Sequence, residues 1–281
     1  MSYKSEHERS IKDPDGFWGE QAKLIHWEKP FNKVLDYANP PFAKWFEGGL
    51  TNLCYNAVDR HLKDRPDQIA LVAVSTETNL EKAYTFKELY EEVNRMAAIY
   101  KANGIQKGDR VLIYMPMIAE ACFAMLACAR IGAIHSVVFG GFSSKSLQER
   151  IQDTGARAVI TADGQFRGGK ALPLKAAVDE ALAMEGCETV EKVIVYKRTG
   201  GEIKLNAKDV WWNDLIAGQA NTCDPVWVNA EHPLFLLYTS GSTGKPKGVQ
   251  HSTAGYLLHA MNTMRWTFDA KEGDVFWCTA D

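Results

Sequence analysis

A chain of 281 residues, 46% of them hydrophobic and 24% charged, can bury a substantial core and is long enough for one large domain or parts of two. Its formal net charge of -3 at pH 7 supplies no electrostatic drive toward nucleic acid, and no nucleic-acid partner is expected. The six cysteines contain no Cys-x-x-Cys pair and several lie inside apolar runs, so they read as reduced core residues of a cytoplasmic protein, not as a disulfide framework or a metal site.

The first ten residues are charged with no apolar stretch behind them, which reads against a secretory signal. Residues 1–66 are rich in tryptophan, proline and asparagine and sustain no long period, which predicts an irregular N-terminal segment packed on a larger body formed by residues 67–281. From Ile69 the texture becomes regular. A strand is expected over 69–74. Thr85-Phe-Lys-Glu88 has the form of a capping box opening a helix that runs to Asn103, with Gly104 as its left-handed stop. Strands follow at 110–114, 133–139, 158–161, 192–196 and 234–238. Helices alternate with them at 119–131, 145–153, around 173–184 and, carrying Trp211-Trp212, near 210–216. The most apolar window, 117–142, is interrupted by Glu120, Arg130 and His135. A membrane span needs about 20 nearly uninterrupted apolar residues, so this window reads as a buried helix and strand, and no membrane partner is expected. Continuously apolar strands separated by helices indicate an α/β fold with a mostly parallel sheet covered on both faces.

After the strand at 234–238 stands Tyr238-Thr-Ser-Gly-Ser-Thr-Gly-Lys-Pro-Lys-Gly-Val249. Gly241, Gly244 and Gly248 permit close approach of backbone to a ligand, Thr239, Ser240, Ser242 and Thr243 add hydroxyls, and Lys245 and Lys247 add positive charge. Such a turn is an anion-binding concavity suited to a di- or triphosphate. A flexible linker is the bland alternative, opposed by the apolar strand directly before it and by the two lysines. A P-loop does not fit, because Gly244-Lys245 is followed by Pro246 and lacks the required glycine spacing. A dinucleotide fingerprint does not fit Gly140-Gly141 either.

Residues 238–248 resemble the phosphate-binding signature of the adenylate-forming superfamily of acyl-CoA synthetases. Phe17-Trp18, Trp45-Phe46 and Asn52-Leu-Cys-Tyr-Asn-Ala-Val-Asp-Arg60 are similar to short-chain members, the acetyl-CoA and propionyl-CoA synthetases. Asn39-Pro-Pro-Phe-Ala-Lys-Trp-Phe46 resembles the propionyl branch more closely. The resemblance implies the large N-terminal domain of a two-step ligase. A short carboxylate, propionate first and acetate second, attacks magnesium-bound ATP to give an acyl-adenylate and pyrophosphate. Coenzyme A then displaces AMP to give the thioester. Thr239, Ser240, Gly241, Ser242, Thr243, Gly244, Lys245 and Lys247 are thereby expected on the β- and γ-phosphates. Arg167-Gly168-Gly169-Lys170 matches a stretch that contacts the adenosine phosphates of coenzyme A in the acetyl-CoA synthetases, with Lys170 where those relatives carry a second arginine. An ordinary solvated basic turn remains its alternative.

Family members are more than twice this long, so the resemblance implies that acyl-pocket and adenine segments, a magnesium-linked carboxylate region and a mobile C-terminal domain lie beyond Asp281. A fragment of that kind is expected to form no thioester alone. A non-catalytic nucleotide-binding module is the reading of another class, opposed by the retention of both Lys245 and Lys247. His251 is expected in a structural role at a helix start, Trp211-Trp212 in packing, and Asp163 has no paired carboxylate at helical spacing; no metal-ligand cluster is visible.

Overall fold

The computed structural model of the chain describes residues 3–239 and 246–277. Its N-terminal segment is more regular than expected. Helices α1 (Tyr3–Lys12) and α2 (Pro14–Gln21) precede a hairpin of β1 (Lys33–Asn39) and β2 (Phe42–Glu47), then a short strand β3 (Leu50–Thr51) and one helical turn, α3 (Leu53–Ala57). Each element is too brief to display a period, and α1 buries no residue at all. Local signals were nonetheless present: the Asp13 carboxylate accepts from the Gly16 N–H at the start of α2, with Pro14 in the first turn. Asn52 caps α3 by accepting from the Tyr55 N–H at 3.1 Å, while its amide donates to the carbonyls of Ala129, Arg130 and Val226. One buried side chain thus fastens the segment to the body behind it.

The body begins with the antiparallel hairpin β4 (Ile69–Ser75) and β5 (Leu80–Thr85), of which β5 was not expected. Helix α4 (Phe86–Ala102) opens on the capping box of Thr85 and Glu88 and is followed by Gly104 at φ +81°. Then come β6 (Arg110–Tyr114), α5 (Ala119–Ile131), β7 (Ile134–Val137), α6 (Ser144–Thr154) and β8 (Ala158–Ala162). A small hairpin, β9 (Gln165–Arg167) and β10 (Lys170–Leu172), leads to α7 (Leu174–Leu182), β11 (Lys192–Tyr196), β12 (Asp209–Trp211) and α8 (Trp212–Ile216). The chain continues through β13 (Val228–Asn229), β14 (Pro233–Thr239), β15 (Lys247–Ser252) and α9 (Thr253–Trp266).

Seven of these strands form one sheet in the order β12-β11-β8-β6-β7-β14-β15, parallel throughout except for the antiparallel pair β14 and β15. Alternation along the central strands divides the core in two. Val111, Ile113, Ile160 and Ile194 pack with Val93, Met96 and Tyr100 of α4 and Phe123 and Ala127 of α5. Leu112, Tyr114, Val159, Val193 and Val195 pack with Leu147 and Ile151 of α6 and Leu174 and Val178 of α7 on the opposite face. The expected α/β fold, with helices on both faces of a mostly parallel sheet, is what the chain adopts. A third cluster joins Ala22, Ile25 and Phe46 of the N-terminal segment to Ala254, Leu257 and Leu258 of α9.

Two expectations are corrected: the helix expected near 210–216 begins only at Trp212, after strand β12, and His251 is not at a helix start. His251 stands on β15, since α9 begins only at Thr253. The strand escaped recognition because β15 is an edge strand whose first four residues are exposed, so no apolar alternation marks it. Hairpin β9–β10 was missed because strands of three residues around two glycines carry no periodicity. Trp212 is buried in the core as expected.

Candidate functional site

In a parallel sheet the carboxyl ends of the strands share one edge, and ligands of open α/β sheets bind in the crevice there. The loops after β6, β7, β8, β11 and β14 leave from that edge. The two turns singled out from sequence follow β14 and β8, which are three strand steps apart, about 14 Å at the usual inter-strand spacing.

Of the phosphate-loop residues, Thr239 and Lys247 are described; Ser240, Gly241, Ser242, Thr243, Gly244 and Lys245 lie outside the described residues. Thr239 and Lys247 form the last pair of the β14–β15 ladder, and both are exposed. The feet of the loop are therefore fixed by backbone hydrogen bonds directly beneath it. Behind them the Tyr238 phenol donates to the Asp153 carboxylate of α6. The Arg150 guanidinium lies over the rings of Phe142 and Tyr238, at 4.8 and 5.1 Å from their centroids. Burial, and then the neighbouring Asp153, pushes the Tyr238 pKa well above its ordinary value, so the phenol keeps its proton. Gly248 faces Tyr238 across the ladder, where a β-carbon would come within 3.2 Å of the ring. A cleft of about 470 Å³ opens beside these groups, lined among others by Lys145, Arg150, Asp153, Tyr238 and Pro246.

At its other end β14 meets the parallel sheet through one residue pair, Phe235 with His135 of β7. The rings of His135 and Phe235 stack at 5.5 Å, and His251 stacks on Phe235 at 4.5 Å. Burial lowers the His135 pKa to about 4, so the ring is neutral, and its Nδ1 has no hydrogen-bond partner among the described residues.

Arg167, Gly168, Gly169 and Lys170 form the tip of the β9–β10 hairpin, with Arg167 paired to Lys170. Gly168 at φ +57° and Gly169 at φ +73° are both left-handed, the conformation of a two-residue primed turn. Their N–H groups point at one anion, the carboxylate of Glu77. The Arg167 guanidinium lies 5.0 Å from the centroid of Phe139, and Lys170 is exposed.

Asp163 fixes where this hairpin starts. Its buried carboxylate accepts from the N–H groups of Gly164, Arg198, Thr199 and Gly200 at 2.7–2.9 Å. Burial alone would raise its pKa, but these donors outweigh it and hold the group below the ordinary carboxylate value. Gln165 donates to the Gly140 carbonyl at 2.7 Å, tying the hairpin to the loop after β7. Arg198 lies 5.9 Å from the Phe166 ring centroid and donates to Ser75 Oγ at the end of β4, where the turn that carries Glu77 begins. Glu77, Arg198 and the anchoring role of Asp163 were not foreseen. An acidic residue followed by glycine at a strand end was the only signal, and it does not name its distant partners.

Two glycine- and lysine-bearing stretches, residues 239–247 and 167–170, thus follow strands whose carboxyl ends share one edge of the sheet. Over all of its length the chain is 58% identical to acetyl-coenzyme A synthetase of Cupriavidus necator and 56% identical to that of Thiobacillus denitrificans, spanning 43% of each of those proteins. It matches the structure of acetoacetyl-CoA synthetase from Streptomyces lividans with a TM-score of 0.88 at 30% identity, covering 98% of this chain and 42% of that one. The chain therefore spans less than half the length of the relatives it matches. Residues 3–57 match the acetyl-coenzyme A synthetase N-terminus family. With residues 58–281 matching the AMP-binding enzyme family, the chain belongs to that family.

Proposed function

We propose that the protein to which this chain belongs activates a short carboxylate with ATP, through an acyl-adenylate, and transfers the acyl group to coenzyme A with release of pyrophosphate and AMP. The names of the relatives favour acetate over propionate, the acid expected from residues 39–46, and acetate is accordingly placed first. In this reading residues 1–66 are the N-terminal segment and 67–281 part of the AMP-binding domain.

The observation that carries the proposal is the family membership, joined by the tip of the β9–β10 hairpin, whose two N–H groups donate to a carboxylate beyond the carboxyl end of β8. Negative charge on the phosphates is redistributed during adenylation, so this part of the protein acts by positioning and electrostatic stabilisation. Thr239, Ser240, Gly241, Ser242, Thr243, Gly244, Lys245 and Lys247 take the β- and γ-phosphates; the Thr239–Lys247 pair under the loop and the Tyr238–Asp153 contact hold its feet. Arg167, Gly168, Gly169 and Lys170 take the phosphates of coenzyme A. Donation by two N–H groups there to one carboxylate supports a fit for an anion. Mg²⁺ arrives as part of the ATP substrate, and no step is assigned to it through residues of this chain.

Acid-dependent exchange of pyrophosphate into ATP by the intact protein tests the reading, because exchange reports adenylation without coenzyme A. Exchange strongest with acetate is expected. Strongest exchange with propionate would restore the propionyl branch, and none with acetate, propionate or butyrate would remove the ligase reading. Lys245→Ala and Lys247→Ala should each lower exchange, whereas the 281-residue chain alone should form no thioester.

A further inference from the structure

Glu77 lies in the exposed turn between β4 and β5, far from the β9–β10 hairpin in sequence. Its two carboxylate oxygens nonetheless accept from the hairpin tip, Oε1 from the Gly168 N–H at 3.0 Å and Oε2 from the Gly169 N–H at 3.2 Å. Successive N–H groups in such a turn make a small concavity that holds one anionic group. Packing does not demand the two glycines, since a β-carbon on either would meet nothing within 4 Å. Their positive φ values do demand them, and the consequence of that conformation is the cradle itself. Arg198, bonded to Ser75 Oγ at 3.1 Å and near Thr78 Oγ1 at 3.4 Å, holds the turn that carries Glu77 close by.

We infer that Glu77 is a resident stand-in for a ligand phosphate, occupying the cradle of Gly168 and Gly169 until a phosphate group displaces it and thereby setting the affinity of the hairpin. Each N–H has one proton to donate, so the two occupants compete for the same donors. A carboxylate and a phosphate in one turn also repel each other. Glu77 is exposed, so rotation of its own side chain clears the cradle while Arg198 retains the turn. The inference rests on the proposal that the hairpin takes coenzyme A phosphates and adds to it a competitor supplied by the chain itself.

The test follows the Gly168 and Gly169 amide resonances of the ¹⁵N-labelled chain during titration with inorganic pyrophosphate and, separately, coenzyme A, in wild type, Glu77→Gln and Glu77→Ala. Without ligand, both amide protons should shift upfield in the variants as the charged acceptor is lost. Pyrophosphate should then bind at these amides about three- to tenfold more tightly than in wild type, and coenzyme A likewise. Unchanged or weaker pyrophosphate binding in both variants, with an unaltered melting temperature, would overturn the inference and leave Glu77 a brace of the hairpin. Tighter pyrophosphate binding with no response to coenzyme A would uphold Glu77 as the occupant and remove coenzyme A as the ligand of this turn.

Discussion

The phenol of Tyr238 donates to the carboxylate of Asp153, joining the end of β14 to α6 immediately behind the pair Thr239 and Lys247. The bond matters because β14 meets the parallel sheet through a single residue pair at its other end, Phe235 with His135. Tyr238→Phe keeps the ring beneath Arg150 and removes only the donor. Stability should fall by about 1 kcal/mol in urea denaturation. Under the proposed function, kcat/KM for ATP of the intact protein should fall about three- to tenfold as the loop's feet lose their alignment. A stability loss with unaltered kcat/KM would reduce the contact to a structural one.

Much of the body was legible because its signals are local. The capping box of Thr85 and Glu88 and the glycine at 104 needed only neighbouring residues to be read. Central strands such as Arg110–Tyr114 and Ala158–Ala162 were visible as apolar runs because both faces of the sheet are covered. The hairpin carrying Arg167 to Lys170 was found as a charge pattern but not as a structure, since three-residue strands have no period. What surrounds it depends on long-range contacts. Glu77 with Gly168, Asp163 with Thr199 and Tyr238 with Asp153 join residues from different elements, and no spacing rule connects them.

Asp163 carries a pH dependence whose direction follows from its neighbours. Its folded pKa lies below the ordinary carboxylate value, so its contribution to stability is complete above about pH 4 and is lost as pH falls through the folded pKa. Asp163→Asn removes the charge and sets an amide N–H against backbone donors; it should cost about 2 kcal/mol at pH 7. The difference between variant and wild type should shrink as pH falls from about 4 through the folded pKa of Asp163. A difference independent of pH would show that the carboxylate charge is not what holds the Arg198–Gly200 loop.

Arg130 and Asp59 form a bidentate pair at 2.8 and 2.9 Å, with the arginine side chain 1% and the aspartate side chain 11% exposed. The arginine also donates to the Cys223 carbonyl and lies over Tyr90, so it cannot leave the core cheaply. Asp59→Ala should therefore cost about 3–5 kcal/mol by stranding a buried cation. The double variant Asp59→Leu with Arg130→Met should cost less than Asp59→Ala alone. A double variant worse than that single change, in the same urea series, would assign the stability to the charge pair itself.

His135 supplies a pH dependence in a different window. Burial holds its folded pKa at about 4, and its neighbours are the aromatic ring of Phe235 and, beyond that ring, His251. An unfolded histidine titrates near 6.5, so between about pH 6.5 and 4 the unfolded chain binds a proton that the folded one does not. Stability is thus unaffected by this group above pH 6.5 and falls as the solution is acidified, by about 3 kcal/mol in all. His61 and His232 are also lowered by burial and act in the same direction, so the wild-type slope belongs to more than one group. His135→Phe isolates one share: it preserves the ring stack on Phe235, removes the unpartnered Nδ1 and cannot take up the proton. Urea denaturation from pH 7 to pH 4 should show the variant losing about 3 kcal/mol less than wild type over that range. Parallel curves would mean that His135 is protonated in the folded protein, which requires an acceptor or water at Nδ1 and a more open sheet edge between β7 and β14.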